Sequence, residues 1–357
     1  MKKEIKKVAL FDPYLNTLGG GEKYILSILK VLNDEGYEIT IFWDKNLSVE
    51  IKNRLSLNFN QLKFLPNIFK NKSFSLSTLK TFDLFFYITN GSYFFSGAKK
   101  NFIYAMVPQK SLYNMNFINR LKTWNYSFIS HSKFTQAHLQ KWNIKSEVIY
   151  PYIDTPQIIK SFGSAQDKVI LTVGRFFKHL HTKRQDLAIK FFNNLQQTPK
   201  FKDYKLILVG GLKKEDQKYY NELIKLAGNN PSIIFKPNTS HSELYKLYEI
   251  STFFWHFTGF GINEEKSPEL VEHLGITPLE AMSHRIIPFC YAAGGPKELI
   301  NDGKNGFLFN NEKELTEKML KIVNDKTLQN KIRTNGIQFI KDNFSYKIFR
   351  NRILKIL

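Results

Sequence analysis

The chain has little cysteine and no long apolar run. Cys290 is the single cysteine among 357 residues, so no internal disulfide can form. It follows the strand-like run 286–289, where a buried and inert thiol is expected. No stretch reaches the 18 apolar residues of a membrane-spanning helix, and the first residues do not resemble a signal peptide. We therefore expect a cytoplasmic protein, or one bound peripherally to the inner face of the cytoplasmic membrane.

Two ligand-binding patterns are also missing. No Asp-x-Asp occurs to chelate a metal-bound diphosphate, and His131, His256 and His273 have no cysteine or carboxylate at metal-ligand spacing. The glycine run Gly19–Gly21 lacks the Gly-x-Gly-x-x-Gly spacing of a dinucleotide site. These absences argue against a metalloenzyme and against an oxidoreductase. We expect no metal and no cofactor.

Acidic residues are nearly absent from one long segment. Between Glu50 and Glu147 there are fourteen basic residues and one acid, Asp83, which accounts for +13 of the net charge of +21. Aromatic residues accompany these cations, which suits a surface facing anionic lipid headgroups or an anionic acceptor. Compositional drift in a lysine-rich proteome is the alternative explanation. Nucleic acid is disfavoured, because only 8 of the 52 basic residues are Arg and no nucleic-acid motif is present.

The sequence does contain a regular alternation of strand-like and helical patterns, which is typical of α/β units with parallel sheets. With 43% hydrophobic residues the chain can bury two cores, so we expect two domains, at residues 1–160 and 161–342. Pro151–Pro156 and Ser161–Gln166 mark the hinge between them. The predicted strands are 6–11, 38–43, 61–65, 82–88, 101–107, 126–130, 146–150, 168–173, 204–209, 232–235, 251–257 and 286–290. The predicted helices are 20–34, 132–142, 183–195, 214–228, 240–249, 276–283, 311–323 and a basic amphipathic tail from 342 to 357.

Two cations follow the first predicted strand of the second half. Residues 168–173 form a short apolar run suited to a buried parallel strand, and Gly174-Arg175 and then Lys183 come after it. Open α/β sheets bind ligands at the carboxyl ends of their strands, and a fixed Arg with a Lys suits a diphosphate. A surface ion pair is the alternative for Arg175.

Glu272 and Glu280 have seven residues between them and precede an apolar helical run. Backbone amides at Gly275 can face a ligand there, and a helix N-terminus offers unpaired N–H groups to a pyrophosphate. We expect Glu280 in the first helical turn. The same residues also fit a structural capping box, with Thr277 at the N-cap, Pro278 at the first helical position and Glu280 at the third.

These motifs, together with Gly294-Gly295-Pro296-Lys297-Glu298, resemble the retaining nucleotide-sugar glycosyltransferases of the GT-B fold, family four. The similarity extends to Gly19-Gly20-Gly21-Glu22 after the first strand, so it covers nearly the whole chain. It implies two Rossmann-like doubly wound domains facing across a cleft, with the acceptor on the N-terminal domain and the donor on the C-terminal one. It also implies that the last helix, 343–357, packs back on the N-terminal domain, with a buried stripe formed by Phe344, Ile348, Phe349 and Ile353. A helix lying on a membrane is the alternative.

The resemblance implies a role for each site residue. Arg175 and Lys183 would bind the donor diphosphate, Glu272 would contact the sugar, and Glu280 would hold the ribose hydroxyls. Arg175, Lys183 and Glu272 are the expected catalytic groups. The other residues expected to line the donor site are Gly20, Gly21, Gly174, Gly275, Ile276 and Thr277.

One position departs from the family pattern. The family often has a His before a Pro at the end of an N-domain strand, and here Met106-Val107-Pro108 stands in that place. Met106 is therefore expected on the acceptor side, with His131 as a substitute candidate for the missing His. His256 is expected to line the cleft rather than to donate protons.

The function implied is transfer of a hexose from a UDP- or GDP-sugar to a glycan or lipid-linked acceptor, with retention of the anomeric configuration. The Gly-Ile that follows Glu272 is similar to a branch that includes the eukaryotic mannosyltransferases acting on dolichol-linked oligosaccharides. The expected process is the synthesis of cell-envelope polysaccharide or glycolipid. A catalytically silent sugar-nucleotide or polyanion binder of the same fold is the alternative, and no nucleic-acid partner is expected.

Overall fold

The computed structural model describes residues 5–70, 75–155, 168–179 and 182–357. The chain divides into two compact units, one formed by Met1–Pro151 with Lys347–Leu357 and the other by Tyr152–Tyr346. The predicted domain boundary at residue 160 and the predicted loose stretch 161–166 lie outside the described residues.

A parallel sheet forms the centre of the first unit. Its strands are Lys7–Phe11 (β1), Glu38–Phe42 (β2), Leu62–Leu65 (β3), Leu84–Ile88 (β4), Lys100–Ala105 (β5), Tyr126–Ser130 (β6) and Ser146–Val148 (β7). The order is β3-β2-β1-β4-β5-β6-β7, and each neighbouring pair is parallel. All five residues of β4 are buried, as expected for a strand covered on both faces. The order reverses between β1 and β4, which places a ligand crevice at their carboxyl ends.

The second unit repeats this architecture. Its strands are Val169–Val173 (β8), Lys205–Gly210 (β9), Ile233–Pro237 (β10), Phe253–His256 (β11), Ile287–Tyr291 (β12) and Phe307–Phe309 (β13). The order is β10-β9-β8-β11-β12-β13, again with parallel pairs. The topological switch point lies between β8 and β11. The α/β class with two Rossmann-like sheets, predicted from the alternating pattern and the resemblance, is confirmed.

Helices connect the strands in both units. Within the described residues they are Gly20–Asp34 (α1), Ser48–Leu55 (α2), Ser75–Leu79 (α3), Phe117–Lys122 (α4), Lys133–Lys141 (α5), Gln185–Gln196 (α6), Gln217–Ala227 (α7), His241–Ile250 (α8), Ile276–Ser283 (α9), Pro296–Leu299 (α10), Glu312–Ile322 (α11), Lys326–Phe344 (α12) and Tyr346–Ile356 (α13). In the described part of the chain, no helix has both the length and the apolar character needed to cross a membrane.

The single tail helix predicted from the sequence is wrong, because two helices occupy that region. Ser345 has extended backbone and ends α12, so Phe344 belongs to α12 and the second unit rather than to the stripe of the last helix. Its carbonyl accepts a hydrogen bond from the Ile153 amide at 2.8 Å. In α13, Phe349 and Ile353 are fully buried, and this helix belongs to the first unit.

Helix α12, the longest in the described residues, was not predicted from the sequence, and it contains Gly336. Glycine inside a helix costs about 1 kcal/mol relative to alanine. Here Gly336 is buried, and a Cβ on it would lie 3.5 Å from Cγ of Met282 in α9. That distance is an ordinary van der Waals contact, so the packing does not require glycine, and the contact of α12 with α9 offsets the low helix propensity of Gly336.

Candidate functional site

Three side chains meet at the switch point of the second unit. His256 is the last residue of β11, Lys183 lies between β8 and α6, and Glu272 lies in the loop before α9. The Oε2 atom of Glu272 contacts Nζ of Lys183 and lies 3.1 Å from Nε2 of His256, although the His256 ring is poorly aligned for a hydrogen bond. The sequence predicted Lys183 and Glu272 but did not predict His256 as the partner of Glu272. Its position at the carboxyl end of a buried strand was the available signal.

Burial and charge fix the protonation of this cluster. Burial by itself would raise the pKa of Glu272, but the Lys183 ammonium and His256 outweigh it and hold that pKa well below its usual range. Burial lowers the pKa of His256, and the neighbouring carboxylate only partly opposes this shift. At neutral pH the site therefore presents an ionised Glu272 beside a cation and a neutral imidazole.

Arg184, the residue that follows Lys183, fixes the backbone at the start of α6. Its backbone lies in the left-handed region with φ 50°, a conformation that costs energy for a residue other than glycine. Two contacts hold it there: a bidentate pair with Asp186, with both N–O distances 3.0 Å, and a hydrogen bond from Nη1 to the Phe260 carbonyl at 3.1 Å. Arg184 thus joins the start of α6 to the loop that follows β11. Nothing in the local sequence pattern indicated this role.

The buried side chain of Gln185 supports the turn Gly174-Arg175 through hydrogen bonds. Nε2 of Gln185 donates to the carbonyls of Gly174 and Arg175 at 3.2 and 3.0 Å, and its Oε1 accepts from the Tyr219 hydroxyl at 3.2 Å. Arg175 itself is exposed, and its guanidinium lies 4.4 Å from the ring centroid of Phe177. The backbone of the predicted diphosphate loop is therefore rigid, while the Arg175 side chain is open to solvent.

Two glycines and Glu264 brace the backbone at Glu272. The Gly295 amide donates to the Glu272 carbonyl at 2.7 Å, and a Cβ on Gly294 would lie 2.1 Å from the same oxygen. The carboxylate of Glu264 accepts from the Gly294 amide at 2.6 Å and pairs with Lys297. The motif 294–298 thus holds Glu272 in place through backbone contacts that only glycine permits.

The predicted helix 276–283 after Glu272 is confirmed as α9, but the capping box proposed for its start is not. Helix α9 begins at Ile276 with Gly275 as its N-cap, so the proposed capping box with Thr277 at the N-cap is wrong. The N-cap Gly275 has φ 105° and lies two residues before the N-cap that the capping box implied, and Pro278 is tolerated because early helical N–H groups have no intrahelical partner. The amides of Gly275, Ile276 and Thr277 lie at this N-terminus, where an anion is favoured.

Glu280 consequently lies in the second turn of α9 rather than the first. Its Oε2 accepts a hydrogen bond from the Tyr248 hydroxyl at 3.0 Å. Burial, with the Glu280 carboxylate beside it, raises the pKa of Tyr248 well above its usual value, so the hydroxyl stays a donor. Glu280 is separate in this structure from the Lys183–Glu272 contact and has its own partner.

The remaining predicted residues belong to the first unit. Gly20 opens α1, and a Cβ on Gly21 would lie 2.0 Å from Sδ of Met106, so the start of α1 and the end of β5 approach closely. His131 is buried, and its Nδ1 lies 3.1 Å from the Tyr104 hydroxyl.

Asp12 lies directly after β1, at the switch point between β1 and β4 of the first unit. It was not among the site residues predicted from the sequence. It is buried, its Oδ1 accepts from the Tyr14 amide at 2.8 Å, and its Oδ2 has no hydrogen-bond partner. Burial, assisted by the nearby Glu22, raises the pKa of Asp12 to about 8. Across the described residues, no group of three or more His, Cys, Asp and Glu side chains is arranged to hold a metal ion.

Residues 154–339 match the family model described as glycosyl transferases group 1. This match spans more than half of the chain, and the chain belongs to that family. The two parallel sheets are those of the GT-B glycosyltransferase fold. The structure is similar to a glycosyltransferase from Rickettsia africae, with TM-score 0.75, 17% identity and coverage of 99% of this chain and 98% of that one. It is also similar to Anabaena Alr3699/HepE in complex with UDP and glucose, with TM-score 0.69, 17% identity and coverage of 98% and 99%.

Among curated proteins, the chain is 39% identical over 87 residues to alpha-1,3/1,6-mannosyltransferase ALG2 of Dictyostelium discoideum, covering 24% of this chain and 21% of that protein. It is 27% identical over 182 residues to GDP-Man:Man(3)GlcNAc(2)-PP-Dol alpha-1,2-mannosyltransferase of Candida glabrata, covering 47% and 33%. A sucrose synthase of Melioribacter roseus is 33% identical over 95 residues, covering 25% and 12%. The alignments thus span a third or less of the length of these relatives.

Proposed function

We propose that this glycosyltransferase moves a hexose from a UDP- or GDP-sugar to a glycan or lipid-linked acceptor and retains the anomeric configuration. The observation that carries the proposal is the contact of Glu272 with Lys183 and His256 at the β8–β11 switch point. An ionised carboxylate suited to sugar hydroxyls lies there beside a cation suited to phosphate.

The departing diphosphate is stabilised by charge. Lys183 and the exposed Arg175 supply cations from the loop after β8, and the amides of Gly275, Ile276 and Thr277 supply the N-terminus of α9. Removing one such group from a site that excludes water typically costs about 3 kcal/mol of barrier. In this proposal Glu272 orients the hydroxyls of the sugar, and Glu280, held by Tyr248, binds the ribose.

Retention follows from same-face attack in the proposed mechanism. The Glu272 carboxylate is engaged by Lys183 and lies beside His256, which suits orientation of the sugar better than nucleophilic attack on it. Leaving phosphate and incoming hydroxyl then share one face of a short-lived oxocarbenium-like sugar: the bond from sugar to phosphate breaks, the acceptor oxygen bonds to the sugar, and the hydroxyl proton passes to the released phosphate oxygen. The transfer needs no metal and no cofactor in this scheme, because Arg175, Lys183 and the backbone amides carry the charge of the diphosphate.

The mannosyltransferase relatives favour a mannosyl donor and a lipid-linked acceptor. An acceptor of that kind places the enzyme at the inner face of the cytoplasmic membrane, in synthesis of a glycolipid or cell-envelope polysaccharide. The acid-poor segment 51–146 supports this location, because Lys and Arg near an anionic surface contribute about 1 kcal/mol each. We place the acceptor on the first unit, on the side of Met106 and His131.

A thermal-shift panel of nucleotide sugars tests the donor proposal. One UDP- or GDP-sugar should stabilise the wild type, and a ligand at a hundredfold excess over its Kd contributes about 2.7 kcal/mol. Lys183→Ala should reduce that shift, whereas Lys178→Ala should not, because Lys178 forms an exposed pair with Glu222. If no nucleotide sugar stabilises the wild type, the donor assignment is wrong.

Product analysis tests the reaction itself. With the stabilising donor, NMR of the product should show the anomeric configuration of the donor. An inverted product would contradict the same-face mechanism. Donor binding without transfer and without slow donor hydrolysis would identify a silent sugar-nucleotide binder of the same fold.

A further inference from the structure

A short helix of the first unit turns its apolar side to solvent. In α4 and the turn after it, Phe117 is 76% exposed, Ile118 59%, Leu121 48% and Trp124 78%. Spacings of three, four and seven residues place these four side chains, here called the α4 patch, on one helical face. An apolar helical face normally packs into a core, so a contiguous exposed one marks an interaction surface.

Asn119 and Thr123 lie on the opposite side of α4 from the α4 patch and make local polar contacts. The Asn116 side chain caps the helix by accepting from the Asn119 amide at 2.9 Å, and Nδ2 of Asn119 donates to the Asn114 carbonyl at 2.7 Å. Thr123 is buried, and its hydroxyl donates to the Asn119 carbonyl at 2.8 Å. Local polar contacts therefore cap and stabilise the helix without using the side chains of the α4 patch.

A neighbouring loop continues the α4 patch. Nδ2 of Asn125 donates to the Ser96 carbonyl at 3.0 Å, and the Tyr126 hydroxyl donates to the Phe94 carbonyl at 3.3 Å. These bonds hold the loop 94–96 beside the residues that follow Trp124. Phe95 in this loop is itself 46% exposed.

Positive charge surrounds the α4 patch. Arg120 and Lys122 lie on the same helix, and Nε of Arg120 donates to the Met115 carbonyl at 2.9 Å. The only acid in the sequence between Glu50 and Glu147 is Asp83, which pairs with Lys99 at 2.7 Å. The segment therefore offers an apolar surface among cations with almost no negative charge.

We propose that the α4 patch docks the protein on a bilayer containing anionic lipids, with Phe117 and Trp124 entering the headgroup boundary and Arg120 and Lys122 contacting lipid phosphates. Charge distinguishes between two possible partners of the α4 patch, a second copy of the chain and an anionic bilayer. A second copy of the chain would bring a net charge of +21 against +21, which opposes association, whereas an anionic surface complements it. The surface extends the proposed function by naming the element that brings the enzyme to a lipid-linked acceptor, but it does not depend on sugar transfer.

Vesicle flotation of the full chain tests this surface. At low salt the wild type should float with vesicles of phosphatidylcholine mixed with phosphatidylglycerol and not with phosphatidylcholine alone, and added salt should weaken the binding. Phe117→Ser with Trp124→Ser should lower the partition coefficient by about tenfold or more, because two large apolar side chains are lost. Arg120→Gln with Lys122→Gln should lower it by about fivefold per cation.

Val49→Ser with Ile224→Ser is the matched control, because these side chains are exposed apolar residues outside the α4 patch. It should bind vesicles as the wild type does. All variants should keep the wild-type melting temperature and the wild-type rate of donor hydrolysis, so a loss of vesicle binding is separable from a failure of the proposed enzymatic function. Sedimentation velocity of the free proteins completes the set and should show a monomer throughout.

Three results would overturn the proposal. The wild type could ignore anionic vesicles at low salt, or the Phe117/Trp124 variant could bind them as tightly as the wild type. A dimer of the wild type that the Phe117/Trp124 variant loses would assign the α4 patch to a second copy of the chain.

Discussion

The side chain of Lys183 passes directly over the α-carbon of Gly174. A Cβ on Gly174 would lie 2.4 Å from Cγ of Lys183 and 3.0 Å from its Cδ. Gly174 follows β8, and Lys183 contacts Glu272, so this close approach sets where the cation lies in the site. The glycine is required for the space it leaves, not for an unusual backbone angle.

Gly174→Ala should therefore displace Lys183 while the fold survives. We expect weaker donor binding and turnover lower by about tenfold or more, since misplacement of a charged group by about 1 Å is costly in catalysis. Steady-state kinetics with the donor identified by thermal shift would measure it. Gly211→Ala is the control, because its Cβ would meet the nearest atom, Cγ of Arg175, at an ordinary 3.8 Å. Equal activity of the two variants would contradict the steric role of Gly174.

Arg175→Ala and Lys183→Ala should each lower turnover by roughly a hundredfold or more, because in the proposed mechanism each removes a charge that stabilises the departing diphosphate. Lys183→Ala should also lower the melting temperature, since it leaves the ionised Glu272 without its cation. Arg175→Ala should not, because Arg175 is exposed. Near-normal turnover in both variants would show that the diphosphate is held elsewhere.

Transfer should persist in excess chelator. The proposed mechanism places the diphosphate charge on Arg175, Lys183 and the amides at the start of α9. Initial rates measured with and without EDTA should agree within error. Loss of activity on chelation that magnesium or manganese restores would rule out the metal-free mechanism.

Asp12→Asn should change how stability depends on pH. Burial raises the pKa of Asp12 from 3.8 to about 8, so the folded state binds this proton more tightly than the unfolded state between those values. The contribution is fully present below pH 3.8 and is lost as pH rises through about 8. The amide of the variant does not titrate, so the variant does not lose this stability as pH rises. The melting temperature of Asp12→Asn relative to wild type should therefore increase from pH 5 to pH 8.5.

Asp203→Asn is the control for that series. Asp203 is exposed, and its hydrogen bond to Lys168 lowers its pKa, so its replacement should give no gain as pH rises. Calorimetry of the three proteins across the pH range would decide the outcome. A constant difference between Asp12→Asn and wild type would mean that Asp12 is already ionised in the folded protein.

Several features of the protein followed from the sequence alone. Apolar runs such as 84–88 and 169–173 predict buried parallel strands, because a strand covered on both faces has no polar side. Lys183 and Glu272 were predicted as site residues and do meet at the switch point, since loops after parallel strands converge at one edge of the sheet. Their assignment to a donor stays a prediction.

Other features needed the tertiary structure. Lys183 meets Glu272 and His256 only because β11 lies beside β8, where Phe253 pairs directly with Ile170. The range of α9 was predicted, but its N-cap was not: Gly275 with a positive φ caps the helix instead of Thr277. Helix α12 forms despite Gly336 because packing against α9 offsets its low propensity.

The sequence by itself determined the order of apolar residues, charged residues and glycines along the chain. It therefore determined the fold class and most of the predicted site residues. The tertiary structure decided which of those side chains share a site and which face water. The α4 patch shows the difference: an apolar helical face normally packs into a core, but Phe117 and Trp124 face water, and Thr123 on the opposite side of α4 is buried. Direction relative to the core is a property of the whole fold, because it depends on partners far away in the chain.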